Sequence, residues 1–123
     1  MIKEFNINFT KKEISLIYQK VKEYPWDSIA NLEKWDHGTN KSYLKELCKY
    51  WITDFDWNKQ ETKLNKFSNF ISTVDGNEIH FIKEKGSSPN SVPLLLMHGW
   101  PGSVVEFLDI IEKLAHPEKF GGD

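Results

Sequence analysis

The 123-residue sequence predicts an α/β fold in which a helical arm, residues 1–68, precedes the beginning of a layered core, residues 69–123. Three observations carry this prediction: apolar residues at helical spacing in the first half, two β-rich runs around an Asp-Gly turn, and an apolar run that ends in a turn rich in glycine and proline. Hydrophobic residues make up 39% of the chain and aromatic residues 14%, which is enough for a packed core.

The first helix of the arm begins with a capping-box signal at residues 10–13, Thr-Lys-Lys-Glu, where the two end side chains can each satisfy a free backbone N–H. The helix should end near Tyr24, because Pro25 disfavours helical backbone in the residue before it. Residues 25–38 are then predicted to be irregular. The inward face of the helix is predicted at Ile14, Ile17, Tyr18 and Val21.

The second helix of the arm is predicted to begin after a cap at Thr39 or Asn40, and a third, short helix after Asp56. The apolar stripe of the second helix has i, i+3, i+4, i+7 spacing and consists of Leu44, Leu47, Cys48 and Trp51. This spacing favours a buried structural thiol at Cys48 over a nucleophile or a metal ligand. Because Cys48 is the only cysteine, an intrachain disulfide is excluded.

The core region is predicted to open with a hairpin and a surface loop. Residues 70–74 and 79–82 flank Asp75-Gly76, a pair that tolerates the positive φ of a tight turn. Residues 83–90 contain glycine, serine and proline and are predicted to form the loop.

A strand and a helix are predicted to follow. The run Pro93–Met97 is continuously apolar, as expected of a strand that is buried on both faces of a sheet. The last helix should extend from about Ser103 to Ala115. Its inward face is predicted at Val104, Phe107, Leu108 and Ile111.

Composition excludes several classes of function. All 16 basic residues are lysines and the net charge is −2, so the forked guanidinium that recognises phosphate or guanine is missing, and no nucleic-acid binding is predicted. The aromatic residues of the arm have helical spacing, which favours packing over a stacking platform for bases or sugars. No run approaches the roughly 20 apolar residues of a transmembrane segment, and no secretion signal begins the chain, so a cytoplasmic location is expected.

The turn at residues 98–102, His-Gly-Trp-Pro-Gly, carries the strongest functional signal. Glycine lets the backbone approach a reacting group, and Pro101 lacks an N–H and fixes the next φ, so the Trp100 N–H can point at a developing negative charge. No metal site is predicted. Surface or packing roles are expected for the remaining histidines, whose spacing fits no ligand pattern: His37, His80 and His116.

An ordered set of segments identifies a family. These segments are Tyr43–Leu47, Tyr50-Trp51, Phe55–Trp57, Leu64-Asn65, Asp75-Gly76, Ile79–Ile82, Pro93–Ser103 and Glu106-Phe107. With them, the chain from about Trp35 onward resembles the N-terminal part of an epoxide hydrolase of the microsomal and bacterial type, a branch of the α/β-hydrolases. Such agreement is more specific than His-Gly-x-Pro alone. The resemblance implies that the chain carries the opening, truncated part of an α/β-hydrolase fold.

The resemblance also implies a reaction, in which an epoxide and water give a vicinal diol through a covalent aspartyl ester. In the family an aspartate attacks a ring carbon, two tyrosines protonate the leaving oxygen, and a histidine with an acidic partner activates water. Of this set the chain would carry only the Trp100 N–H, as oxyanion donor. The other turn residues would shape the loop, including a structural rather than basic histidine: His98, Gly99, Pro101 and Gly102. No cofactor is implied.

The nucleophile, the general base and the acid tyrosines are expected to lie outside this chain. Gly121-Gly122-Asp123 matches the start of the family's nucleophile motif, Gly-Gly-Asp-Trp-Gly. However, only one helix separates it from the Trp100 turn, whereas a nucleophile elbow needs a further crossover of roughly 30 residues. Asp123 is therefore not predicted to be catalytic. The chain is expected to be an inactive fragment, whose partners are the rest of the hydrolase core and lid and, in the full-length enzyme, an epoxide.

Two alternatives remain open. The chain could be a non-enzymatic remnant or interaction module derived from an epoxide hydrolase, exposing the edge of its sheet and the inner face of its last helix. Another α/β-hydrolase, such as a dehalogenase, is disfavoured by the long aromatic arm.

Overall fold

The computed structural model describes residues 1–30 and 34–122. Three antiparallel strands form a sheet in the order β1-β2-β3, and these strands are β1 (Ile2–Glu4), β2 (Asn69–Val74) and β3 (Asn77–Ile82). The α-helices of the described residues are α1 (Lys11–Lys22), α2 (Lys41–Thr53), α3 (Trp57–Leu64) and α4 (Leu108–Ala115). Short 3-10 helices occur at Trp26–Ser28, Val104–Phe107 and Pro117–Phe120. Helices and an antiparallel sheet are thus both present in the described part of the chain, as the predicted α/β class requires.

The chain divides into two compact units. A helical unit comprises Phe9–Gln60, and a sheet unit comprises Met1–Asn8 together with the residues from Glu61 onward. Residue 31, in the predicted irregular segment, lies outside the described residues, as does Asp123. None of the helices in the described part of the chain has the length and apolar content that a membrane crossing requires.

In the helical unit, α1 begins with the predicted capping box. The Thr10 N–H donates to Glu13 Oε2 over 2.9 Å, and the Glu13 N–H donates to Thr10 Oγ1 over 3.2 Å. The Thr10 hydroxyl also donates to Glu13, and these bonds hold the pKa of the Glu13 carboxyl below its usual value. The predicted inward face is confirmed, since its four residues are the half-buried positions of α1: Ile14, Ile17, Tyr18 and Val21.

The capping residue of α2 is Asn40, whose Oδ1 accepts the Tyr43 N–H at 2.9 Å. The predicted apolar stripe is wrong in two positions, because Leu47 and Trp51 are 47% and 36% exposed. The half-buried apolar side chains of α2 instead follow the i, i+4, i+8 ridge along which helices usually pack, at Leu44, Cys48 and Ile52. Cys48 is consequently half-buried rather than buried.

An aromatic cluster surrounds Trp57 at the start of α3. The rings of Phe9 and Phe55 meet the indole edge-on, with centroids 5.3 and 5.1 Å away, and Trp51 lies 6.3 Å away. The Trp57 Nε1–H is buried and has no hydrogen-bond partner within the described residues. Edge-on rings around this indole are the arrangement that the quadrupoles of aromatic groups favour.

In the sheet unit, the predicted hairpin is confirmed. Strands β2 and β3 pair in register, with Phe70 opposite Phe81, and these two rings stack at 5.6 Å. The connecting turn has φ of 49° at Asp75 and 80° at Gly76. Positive φ at both central residues is the signature of a type I′ turn, whose twist matches that of the flanking strands.

Strand β1 was not predicted. It pairs with β2, with Lys3 opposite Ile71, and the Phe5 N–H then donates to Asn69 O at 2.9 Å. The Asn65 side chain continues this pattern, because it accepts the Ile7 N–H at 2.9 Å and donates to Ile7 O at 2.8 Å. The Asn65 side chain therefore makes the two hydrogen bonds to Ile7 that a residue of a partner strand would otherwise make.

The strand predicted at Pro93–Met97 is not formed, and this expectation is wrong for the described residues. Residues 91–99 belong to no helix or strand, and Leu94, Leu95 and Met97 are 65%, 80% and 79% exposed. A strand needs a neighbour to receive its N–H and C=O groups. The three-stranded sheet does not include this segment, so the apolar run has no strand partner within the described residues.

The predicted last helix is present, but its first turn is the 3-10 helix Val104–Phe107, which continues into α4. Ser103 Oγ accepts the Val105 N–H at 3.4 Å at its start. The predicted inward face is confirmed, since Leu108 is 5% exposed and Val104, Phe107 and Ile111 are half-buried. Leu108 and Leu64 are the buried apolar residues of the described chain.

Candidate functional site

The turn at residues 98–102 is closed by its own backbone. The Gly102 N–H donates to Gly99 O over 2.7 Å, and the peptide bond between Trp100 and Pro101 is cis. The Nδ1 atom of His98 lies 3.2 Å from Gly99 O. The histidine ring therefore contacts the turn that it precedes.

Trp100 stands at the tip of this turn. Its side chain is 96% exposed, and no described residue accepts a hydrogen bond from its backbone N–H. An N–H without an internal acceptor can donate to a bound group. This is the geometric property that an oxyanion donor requires.

The two glycines of the turn have different surroundings. A Cβ added to Gly102 would collide with the Glu106 carboxylate and lie 2.9 Å from Gly99 O. A Cβ added to Gly99 would have no neighbour within 4 Å. The Glu106 side chain can swing away, but Gly99 O is backbone and is already hydrogen-bonded to Gly102. The steric requirement for glycine thus lies at Gly102.

The turn leads directly into a helix. Ser103 accepts the Glu106 N–H through its backbone oxygen at 3.1 Å, which begins the 3-10 turn that precedes α4. Leu108, at the first position of α4, is buried. The downstream end of the Trp100 turn is therefore fixed by apolar packing, whereas residues 91–101 upstream are all exposed.

His80 lies in β3, away from the turn. Its Nε2 atom lies 2.9 Å from Asn69 Oδ1, and the Phe5 ring meets the imidazole edge-on at 5.6 Å. Asn69 donates its amide hydrogens to Leu64 O and Phe67 O, so Oδ1 faces the histidine and the proton of the neutral imidazole lies on Nε2. Partial burial lowers the pKa of His80 below its ordinary value.

The other two histidines with predicted surface or packing roles have no described hydrogen bond to the turn either. His37 is exposed, and His116 Nε2 lies 3.3 Å from Glu84 Oε1. Among residues 1–30 and 34–122, no group of three or more histidine, cysteine, aspartate or glutamate side chains could hold a metal ion. The structure thus brings His98 to the Trp100 turn and leaves the other histidines elsewhere.

Sequence reasoning missed the two asparagines that organise the sheet unit, Asn65 and Asn69. Asn69 is 5% exposed, and its side chain joins β2 to the end of α3 and to His80. Asparagine is common in loops, so a single sequence carries no signal that distinguishes a buried amide from a turn residue.

Comparisons with known proteins identify the family. The model of the family "Epoxide hydrolase N terminus" matches residues 2–107. Epoxide hydrolase 1 of Sus scrofa is 35% identical over 98% of this chain, which covers 27% of that protein. The crystal structure of juvenile hormone epoxide hydrolase from Bombyx mori superposes with a TM-score of 0.79 and 30% identity, over 91% of this chain and 27% of that chain.

A fungal enzyme has the same fold in this region. The structure of Aspergillus niger epoxide hydrolase superposes with a TM-score of 0.78 and 28% identity, over 91% of this chain and 30% of that one. The present chain spans little more than a quarter of the length of the curated relatives it matches.

Proposed function

We propose, from the premise that this chain belongs to the epoxide hydrolase family, that its Trp100 turn supplies the oxyanion donor of an enzyme that converts an epoxide and water to a vicinal diol. One observation carries the proposal. The Trp100 N–H has no acceptor among the described residues, in a turn that the Gly102 N–H and Gly99 O close at 2.7 Å. A donor held in this way needs little rearrangement when negative charge develops beside it.

The proposed reaction has two steps. An aspartate oxygen attacks one ring carbon, the carbon–oxygen bond of the ring breaks, and one of the two tyrosines protonates the leaving oxygen. Water, deprotonated by a histidine, then attacks the ester carbonyl carbon. The oxyanion of this second step accepts a hydrogen bond from the Trp100 N–H. Its collapse breaks the ester carbon–oxygen bond, the leaving alkoxide takes the remaining proton of the attacking water, and the diol and the aspartate carboxylate are released. The histidine returns its proton to the tyrosine.

The remaining turn residues have shaping roles in this proposal. Pro101 has no N–H of its own to compete for the oxyanion, and Gly102 permits the close approach to Gly99 O. His98 contacts Gly99 O and is a loop residue rather than the general base. In this arrangement the turn contributes geometry and one donor, and the groups that form and break bonds come from elsewhere.

The nucleophile, the base and the acid tyrosines are proposed to come from polypeptide outside these 123 residues. The coverage of the relatives supports this, because the chain matches little more than a quarter of their length. We further propose that residues 69–123 are the beginning of the hydrolase core and that residues 1–68 are its arm, of which Phe9–Gln60 forms the helical unit and Met1–Asn8 belongs to the sheet unit. The exposed run Pro93–Met97 then becomes a buried strand when the remainder of the core pairs with it.

The gene and an activity assay test this proposal together. We expect the reading frame beyond the Asp123 codon to encode Gly-Gly-Asp-Trp-Gly and a distal histidine, and the encoded polypeptide to form diol from an epoxide such as styrene oxide. The 123-residue chain alone should form none. A stop codon directly after Asp123 would contradict the proposal and favour the interaction module, for which the exposed apolar residues 92–97 offer a surface.

A further inference from the structure

Two distant parts of the sheet unit meet beside the end of α4. The Ser87 N–H donates to Ala115 O at 2.9 Å, and Ser87 Oγ lies 2.9 Å from Glu118 Oε2 and 3.2 Å from Ala115 O. His116 Nε2 lies 3.3 Å from Glu84 Oε1, and His116 Nδ1 lies 3.9 Å from Glu118 Oε1. Ala115 is the last residue of α4, so its carbonyl has no partner within that helix. A serine from the loop after β3 satisfies it.

We propose that Glu84, Ser87, His116 and Glu118 form a clasp that positions the Trp100 turn. The clasp joins the chain just before the turn-bearing segment to the chain just after it. The importance of the clasp for catalysis rests on the proposed function above. The existence of the clasp depends only on contacts within this chain. The clasp residues are positioning residues, since none of their described hydrogen bonds or ion pairs involves the turn.

The segment between the two sides of the clasp has few anchors of its own. Residues 91–101 are all exposed. The described hydrogen bonds of residues 91–102 are local, joining Ser91 to Ser88, His98 to Gly99, and Gly102 to Gly99. The position of the Trp100 turn therefore depends on how its two ends are held.

The clasp shortens the free part of this segment. Upstream of it, the Lys83 N–H donates to Ser68 O at 3.0 Å, and this is the anchor that would remain if the clasp opened. The conformational freedom of a segment held at both ends grows with its length. Holding Ser87 as well as Lys83 therefore narrows the range of positions open to the turn.

The loop side of the clasp is compact. Ser91 folds back so that its N–H lies 3.2 Å and its Oγ 2.7 Å from Ser88 O. A Cβ added to Gly86 would lie 2.9 Å from Ser91 Cβ. The residues next to Ser87 are thus packed against each other, so an anchor at Ser87 is transmitted to the chain that follows.

The charges around the clasp favour it at neutral pH. The Ser87 hydroxyl is the main cause that lowers the pKa of Glu118, so this carboxyl is an ionised acceptor. His116 lies between Glu84 and Glu118 and can donate to Glu84 through Nε2. Lys119 Nζ lies 3.7 Å from Glu112 Oε1, and its positive charge contributes to the lowered pKa of Glu118.

Relaxation of backbone ¹⁵N nuclei in the full 123-residue chain tests the clasp. Ser87→Ala removes the hydroxyl, and Glu118→Gln removes the charge of its acceptor. Ser87→Thr is the conservative variant that keeps the hydroxyl. Glu112→Gln is the matched control. It removes the same charge as Glu118→Gln, but at a residue of α4 that pairs with Lys119 and not with the loop.

The order parameters of Gly99, Trp100 and Gly102 should fall in Ser87→Ala and Glu118→Gln, from about 0.85 toward about 0.6, while those of β2 and β3 stay unchanged. Ser87→Thr and Glu112→Gln should keep the wild-type values. Unchanged order parameters at the turn in both clasp variants would overturn the proposal. So would a fall of the same size in β2 and β3, because this would indicate general loosening.

This experiment needs no catalysis, so it separates the clasp from the proposed function. Loss of order at the turn in the clasp variants would support the clasp even if the polypeptide encoded by the gene formed no diol. Diol formation together with an unchanged turn would support the proposed function and overturn the clasp.

Discussion

At Trp100 the chain presents a backbone donor at the tip of a turn whose closure depends on one residue. Gly102 must lack a side chain because Gly99 O would lie 2.9 Å from its Cβ, whereas Gly99 has open space around the corresponding position. The sequence motif contains both glycines and does not reveal which of them is sterically required. The answer depends on distances within the turn, which only a three-dimensional structure supplies.

We expect Gly102→Ala to open the turn and Gly99→Ala to leave it closed. The added methyl group can be accommodated only if the bond between position 102 and Gly99 O lengthens, and such a bond contributes about 1 kcal/mol. The amide at position 102 should therefore exchange with solvent several-fold faster in Gly102→Ala, as measured by NMR. Equal exchange rates in the two variants would argue against the steric account.

The lowered pKa of His80 predicts that the free energy of unfolding depends on pH. Its pKa is lowered in the folded protein by burial, so the unfolded chain binds the proton more tightly. The stabilising contribution is present above the unfolded value of about 6.5 and is lost as the pH falls toward the folded pKa. The free energy of unfolding, measured with urea, should therefore decrease from pH 7 to pH 5.5.

The matched variants for this pH dependence are His80→Gln and His37→Gln. The first should flatten the decrease, because it removes the titrating ring but keeps an amide donor for Asn69. The second should not, because His37 is exposed. If His80→Gln retained the full decrease, the burial of His80 would not be its cause. The pKa values of Glu13 and Glu118 are also lowered, and their contributions are lost only at more acidic pH.

Among the secondary-structure elements, those with local signals were predicted well. The capping box of α1, the Asn40 cap of α2 and the Asp75-Gly76 hairpin each depend on residues within a few positions of one another. Strand β1 depends instead on β2 and on the Asn65 side chain, which are far away in the sequence. Its three residues carry too little periodicity to identify a strand.

Asn65 should be required for the pairing of the N-terminal residues with strand β2 in the sheet unit. Asn65→Asp replaces the donor to Ile7 O with a carboxylate oxygen that repels it, and an unsatisfied group of this kind costs about 1–3 kcal/mol. Hydrogen exchange at the Phe5 N–H, which donates to Asn69 O, should accelerate accordingly. Asn90→Asp, in an exposed loop, is the control and should have no such effect.

The attachment of α4 depends on Leu108. We expect Leu108→Ala to lower the free energy of unfolding by about 2–5 kcal/mol, because it removes a side chain that is only 5% exposed. Leu114→Ala on the same helix removes a side chain that is 52% exposed and should cost much less. Urea denaturation of both variants measures the difference, and similar losses would contradict the position of Leu108 in the core.

The chain belongs to a confirmed family and contains an apolar segment, Pro93–Met97, that pairs with no strand among the described residues. The family could be identified from the ordered motifs of the sequence, and the comparisons confirm it. Whether Pro93–Met97 forms a strand could not be predicted from the sequence in this way. An apolar run indicates which residues can be buried, but it does not indicate whether a neighbouring strand is present. In this chain Leu95 and Met97 face solvent.

Catalysis is expected to need more polypeptide than these 123 residues. Diol formation from an epoxide by the purified 123-residue chain should be undetectable, because in the proposed mechanism the Trp100 turn supplies an oxyanion donor and no nucleophile. Gas chromatography of the products measures this directly. Diol formation above the uncatalysed rate would show that the 123 residues themselves contain a nucleophile.

The most direct test of the oxyanion assignment uses the polypeptide that the gene encodes, with Trp100→Pro compared with Trp100→Phe. Proline removes the backbone N–H, whereas phenylalanine keeps both the N–H and an aromatic side chain. In single-turnover experiments, Trp100→Pro should slow hydrolysis of the covalent ester by about 10²–10³ and cause the ester to accumulate, while Trp100→Phe hydrolyses it at nearly the wild-type rate. Equal rates of ester hydrolysis in the two variants would contradict the assignment of the Trp100 N–H as the oxyanion donor.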